Sequence, residues 1–368
     1  MAIAWHNANY QKRRVILLDS PTANVADFPV LLKLTDTEAI ANADMASLRY
    51  LIADWLGNVL AYEEESYTEG ASYVNFETWA SVPNIYASPS SDQNKVVVYY
   101  DYNGGSDLDD AANVWDANFE GVWHLHQGDS TAANFYADSS GNAHHGTLVD
   151  TDGDTIQADG KVYKCLDFNG DADYIGVGSI TPHATLNTIE AWIRSDSVTT
   201  TQRVFAQGIS GGNNLSMQIY SSAIRGLHGA GGGGQLVGGS ESISSDTWYH
   251  VAYSVDDGAN TAILYVNGVP EQTGTSNTLA TSAQVMCLAA QSPAGAAERF
   301  NGDIDEARLS VGAARTADWL NYEYNNIADA DNAQTWGAEE EVPSEPSVAA
   351  FQPQPVYRRP PRPVAVAY

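Results

Sequence analysis

The chain has 368 residues, enough for two or three domains that each bury their own core. Its net charge of -29 sets 46 acidic residues against 17 Lys and Arg, which disfavours nucleic acid and anionic membrane as partners, because binding to either depends on basic side chains. No window approaches the roughly 18 apolar residues of a membrane span, so no membrane insertion is expected.

The N-terminus, "MAIAWHNANYQKRR", lacks an apolar run of signal-peptide length, which points to folding in a cytoplasm. Together, 20 Tyr, 31 Gly and abundant Thr, Val, Ser and Asn favour strands over helices, so an all-β chain is expected. Residues 1–104 read as one β-sandwich unit. In it "RRVILL", "FPVLLKL", "LRYLIADWLGNVLAYEEESY", "SYVNFETWASV" and "KVVVYYDY" are apolar or alternating runs separated by turns, one of them Leu-Gly-Asn at 56 to 58. Residues 105–120 read as a polar connector with Asp at 107, 109 and 110.

A second strand-rich unit spans residues 121–338, where "KCLDFNG", "DYIGVG", "NTIEAWIRS", "LSMQIYS", "WYHVAYSVDD" and "ILYVNGVP" recur at the spacing of a two-sheet jelly roll. Within it "TADWLNYEYNN" has helical spacing at Ala317, Leu320 and Tyr324, with Thr316 as the capping residue. From 339 to 368 the composition changes. Half of the 14 prolines fall between Pro343 and Pro363, and the last 22 residues carry three Arg and no acid. That stretch predicts an extended, partly polyproline II tail, either held by a partner or folded back on the acidic body.

Several motifs invite chemistry and fail on detail. "DTDGDTIQADG" places Asp150, Asp152 and Asp154 at the first, third and fifth positions of a calcium loop, but Thr155 stands where the loop needs Gly and Lys161 where it needs Glu, so a solvated loop is the plainer reading. His124 and His126 alternate onto one strand face, with His144 and His145 in a nearby loop. Zinc is conceivable there, but packed histidines are the plainer reading. "HGAGGGGQLVGG" lacks the lysine and setting of a phosphate loop. Cys165 and Cys287 sit in strand-like runs and read as buried free thiols.

"GVWHLHQ", "ADSSGNAHHGTL", "KCLDFNGDADYIGV", "TIEAWIRS", "WYHVAYSV", "ILYVNGV", "FNGDIDEARLS" and "ARTADWLNYEYNN" resemble, in order and spacing, the LamG-like, concanavalin A-like jelly rolls. "WHNANYQKRRVILL", "ADFPVLLKL", "AYEEESY" and "VVVYYDY" look like an uncharacterised β-sandwich family that often precedes such domains on bacterial surfaces and in phage virions. The expected fold is therefore two β-sandwich modules, the second a concanavalin A-like jelly roll, with an extended proline-rich tail.

Glucanases of that fold place three carboxylates on one strand face. In "GDIDEARLS" strict alternation would put Asp303 and Asp305 with Ala307 and Leu309, and Glu306 with Arg308 on the opposite face, so the third carboxylate is missing and no enzyme is expected. The resemblance implies instead a loop-fixing calcium, with Asp138, Asn142, Asp303 and Asp305 as the candidate ligands. Sugar binding needs aromatic platforms at a rim or sheet face. Tyr136, Tyr220 and His228, beside loops, are the candidates, while Trp192, Trp248 and Tyr249 are expected to pack in the core.

The expectation is a non-enzymatic phage virion surface protein, present in many copies, that binds host surface glycan. Its tail, through Tyr357, Arg358, Arg359, Arg362 and Tyr368, would dock onto acidic virion subunits. The alternative is a cell-surface carbohydrate-binding module or the accessory part of a glycan-degrading system.

Overall fold

A computed structural model describes residues 3, 5–6, 9–34, 40–41, 50–69, 74–102, 104, 108–150, 152–171, 173–207, 215–229, 235–239, 241–276, 279, 284–291, 298–328 and 333–342. The chain divides into two units, one formed by Met1–Ala117 with Asn325–Tyr368 and the other by Asn118–Tyr324.

The first unit opens with β1 (Lys12–Leu18), β2 (Val25–Leu34), β3 (Leu51–Asp54), β4 (Tyr62–Glu69), β5 (Val74–Ile85) and β6 (Lys95–Tyr100). One sheet pairs β1 with β6 and β6 with β3, and the other runs β2-β5-β4, all antiparallel. The expected turn after β3 is closed by Asp54, whose Oδ1 accepts the Leu56 and Asn58 N–H groups at 2.9 Å while Gly57 takes φ +85.

The connector expected at 105–120 is packed rather than solvated along its second half. Trp115 is buried, donates from its indole to Glu63 at 2.9 Å and lies 5.4 Å from the Trp79 ring. An indole this large covers too much apolar surface to be left in water.

The second unit contains β7 (Phe119–Trp123), β8 (Thr147–Val149), β9 (Ile156–Asp159), β10 (Lys164–Asn169), β11 (Tyr174–Ile180), β12 (Leu186–Ser195), β13 (Gln202–Gln207) and β14 (Leu215–Tyr220). It continues with β15 (Ala223–His228), β16 (Gln235–Gly238), β17 (Trp248–Asp256), β18 (Thr261–Val266), β19 (Val269–Gly274), β20 (Gln284–Leu288) and β21 (Asn301–Val311). These strands form an eight-stranded sheet, β19-β18-β17-β12-β21-β10-β9 with β7 beside β21, and a seven-stranded sheet, β16-β15-β14-β13-β20-β11-β8.

The two inner faces share one core, in which Trp123, Phe168, Ile193, Phe205, Met217, Tyr253 and Phe300 interdigitate. The Asn-Gly pair between β18 and β19 adopts the doubly left-handed turn that such a pair favours, with φ +51 and +72.

A bulge in β21 overturns the expected alternation. Glu190 and Trp192 of β12 face Arg308 and Asp305, so two residues of β21 oppose one of β12, and Glu306 takes φ +49. As a result Ile304, Ala307 and Leu309 all enter the core, while Asp305 and Arg308 share the outer face.

Helix α1 (Ala317–Ala328) forms where expected, and Thr316 caps it by accepting the Trp319 N–H at 3.3 Å. The boundary expected at 338 moves. After α1 the chain returns to the first unit, where β22 (Gln334–Trp336) and β23 (Glu340–Glu341) pair with β1. The physical reason is the unpaired edge of β1, which residues 334–341 complete. Asn326 adds to this return, accepting the Leu31 N–H at 2.8 Å and donating to the Leu31 carbonyl at 3.1 Å.

Candidate functional site

The outer face of the seven-stranded sheet gathers polar side chains around aromatic rings. Val204 and Phe205 of β13, Leu215, Met217 and Ile219 of β14, Ile224 of β15 and Met286 of β20 point into the core. Period-two alternation therefore sends Arg203, Ser216, Gln218, Tyr220 and Arg225 outward.

The register lines three of them up. Arg203 faces Gln218, and Gln218 faces Arg225, across strands about 4.8 Å apart. Arg203 is anchored by Glu298 at 2.6 Å and donates to Ser216 at 2.8 Å. The Gln218 Oε1 is buried with no hydrogen-bond partner, and the Arg225 guanidinium lies 3.8 Å over the Tyr220 ring. On the same face Tyr174 of β11 carries the Arg299 guanidinium at 4.8 Å. Arg203 and Gln218 are buried, so this face offers a ligand the half-buried Arg225 guanidinium and the exposed Tyr220 ring, chemistry that suits a hydroxyl-rich molecule.

Of the three residues expected to contact sugar, Tyr220 belongs to this face and is 39% exposed. The other two are corrected. Tyr136 is fully buried, its ring in the sandwich core and its hydroxyl donating to the Gly128 carbonyl at 2.9 Å. His228 is fully buried against Tyr253, and burial drives its pKa down to about 4. Both belong to chain segments whose backbone turns them inward, which position beside a loop did not reveal. The strand "LSMQIY" did carry the missed signal, since it alternates apolar and polar residues.

The four residues expected to hold calcium are each engaged elsewhere. Asp138 accepts the Val122 and Ser140 N–H groups with Oδ1 and the His144 N–H with Oδ2, all at 2.9 Å. Asn142 donates to the Phe119 and Glu120 carbonyls. Asp303 accepts from Arg194 at 2.6 Å, and Asp305 accepts the Lys161 and Val162 N–H groups at 2.6 and 3.0 Å. Asp138, Asp303 and Asp305 do not gather as one ligand set.

Among the described residues the convergent carboxylates are instead Asp150, Asp152, Asp154 and Asp173, with oxygens within 4.8 Å of one another. Asp150 folds this loop by accepting the N–H groups of Asp152, Gly153 and Thr155. A hydrogen bond donated to Asp154 pushes the Asp152 carboxyl up to about 6. The residues expected to dock the tail, Tyr357, Arg358, Arg359, Arg362 and Tyr368, lie outside the described residues.

The carboxylates of β21 are held by neighbouring side chains and backbone amides. Burial alone would raise the Glu306 carboxyl, yet His124 at 2.7 Å and Arg308 at 2.6 Å hold it down to about 2. The remaining histidines separate: His144 meets Glu120 at 3.0 Å, and His145 accepts the Asp138 N–H at 3.0 Å. Trp192 is buried but stacks on Tyr324 of α1 at 5.6 Å rather than in the sandwich core. Trp248 is half-buried under the Arg194 guanidinium, and Tyr249 is half-buried with its ring against the core. Cys165 and Cys287 are free, buried and in different sheets.

Residues 169–320 match the model of a family described as the concanavalin A-like lectin/glucanases superfamily. They form a concanavalin A-like domain.

The match runs from the end of β10 into α1 and includes every strand of the polar row. The concanavalin A-like domain is similar to domain 4 of a GH43 extracellular arabinanase from Geobacillus stearothermophilus, solved in complex with arabinotriose. That pair is 23% identical with a TM-score of 0.42, covering 58% of this chain and 98% of the other. A heptameric SAP-like pentraxin from Limulus polyphemus is 14% identical with a TM-score of 0.35, covering 42% of this chain and 74% of its own. The binding domain of botulinum neurotoxin serotype G is 12% identical with a TM-score of 0.42, covering 56% of this chain and half, 50%, of its own. No curated protein matches the sequence.

Proposed function

We propose that the chain is a non-enzymatic glycan-binding protein whose concanavalin A-like domain contacts sugar through the outer face of the seven-stranded sheet. The observation that carries this reading is the exposed Tyr220 with the half-buried Arg225 guanidinium over its ring, in register with the buried Gln218 and Arg203. The fold sets a prior for carbohydrate and no more, because fold alone does not specify function. The buried and hydrogen-bonded state of Asp305 and Glu306 supports binding without cleavage, since neither side chain is open to a polysaccharide.

The finer reading is a phage virion surface protein, displayed in many copies and held through its C-terminal segment. Its support is the pairing of the two sandwich modules and the sign reversal of the last 22 residues against an acidic body. Mass spectrometry of purified particles tests it, and absence of the chain from them would refute it.

Glycan-array and calorimetric binding with the full chain tests the sugar reading. Arg225→Ala and Tyr220→Ala should each weaken binding about tenfold, the loss of roughly 1.4 kcal/mol, with circular dichroism unchanged. Affinity unchanged from the wild type in both variants, or release of soluble sugar by the wild type, would overturn it.

A further inference from the structure

On the outer face of the eight-stranded sheet, under α1, lies a second polar group that the sugar reading does not use. Glu190 of β12, His250 of β17 and Glu323 of α1 each offer one ligand atom, and these three atoms lie within 4.8 Å of one another. All three residues are buried, exposing 2% of their surface each.

Their hydrogen bonding is incomplete. Glu190 Oε2, Glu323 Oε2 and His250 Nδ1 have no hydrogen-bond partner. Buried polar atoms are nearly always satisfied, so two such glutamate oxygens beside one imidazole call for an occupant. His250 Nε2 and Glu190 Oε2 stand 3.8 Å apart, too far for a hydrogen bond. Two ligands bonded to one tetrahedral ion at about 2 Å are spaced by about 3.3 Å, a distance a small adjustment reaches.

Arg308 is shared between Glu306, which His124 also meets, and Glu323, while Glu190 adds a third carboxylate. The walls are apolar, with Trp192 5.5 Å from the His250 ring and Tyr324 stacked on Trp192. An apolar shell around carboxylate and imidazole donors raises their attraction for a cation.

We infer that Glu190, His250 and Glu323 form a buried site for a divalent first-row metal ion, which ties α1 to the sheet beneath it. Two carboxylates and one imidazole are a donor set that suits zinc and its neighbours. The competing occupant is a proton held between Glu190 and Glu323.

The test uses the full chain, unfolded in urea, refolded with EDTA or with an equivalent of zinc, desalted, and then assayed for zinc content and thermal midpoint. Zinc retained at about one per chain, with a midpoint several degrees above the EDTA sample, is the expected result. Glu190→Gln imitates the protonated carboxyl, so it should fold with the midpoint of the EDTA sample, retain no zinc and show no zinc-dependent rise. His250→Gln should likewise lose the zinc. Failure of the wild type to retain zinc would overturn the inference and leave the shared proton. Full retention by Glu190→Gln would also overturn it, by locating the ion elsewhere.

Discussion

His228 and Asp138 show how single side chains are spent on the fold. Burial holds the folded-state pKa of His228 at about 4, against a value near 6.5 in the unfolded chain. Below pH 6.5 the unfolded chain takes up a proton that the folded chain refuses, so this contribution is complete above pH 6.5 and fades as the pH falls towards 4. Urea midpoints between pH 7 and pH 4.5 should therefore drop less steeply in His228→Gln than in the wild type; parallel curves would refute this. Asp138 neutralises three backbone N–H groups around the β7 edge. Asp138→Ala should cost about 3 kcal/mol by urea unfolding, because it orphans several buried donors, and the same amount with calcium or with chelator. A loss seen only in calcium would return Asp138 to a ligand role. Neither role was readable from residue type, since a carboxylate can bind metal, cap amides or pair with Arg.

At the scale of strands, close approach sets the limits. Where β15 crosses the core, a Cβ added at Gly226 would lie 2.3 Å from the Tyr253 ring. That ring is fixed by packing and by its bond to His228, so Gly226→Ala should destabilise by about 1–3 kcal/mol in chemical denaturation, and by less when Tyr253 is replaced by Ala. Most strands were legible because alternating or apolar runs bounded by turn residues have one cheap way to bury their faces, and the Asn-Gly turn and the Thr316 cap follow from local chemistry. The bulge at Glu306 was not legible. Strict period two put Ala307 and Leu309 with the aspartates, and only the register against β12 shows the extra residue that returns both to the core.

At the scale of the whole molecule, the late strands β22 and β23 belong to the first unit, which the chain leaves and re-enters. A chain ended at Asn332 should lose cooperative melting of that unit, seen as a lowered first thermal transition against a chain ended at Val342; equal transitions would show that β1 needs no such cover. The sequence by itself determined the all-β class, the two-sandwich organisation, the jelly-roll resemblance and the acidic character, because composition and hydrophobic period act within one strand or turn. Only the tertiary structure decided which residues share a surface. The polar row Arg203, Gln218 and Arg225 comes from three strands, and the cluster Glu190, His250 and Glu323 from two strands and a helix. Tyr136 and His228 went the other way, into the core. Register, bulges and strand return are set by pairings between distant segments, and a local pattern carries no record of the partner.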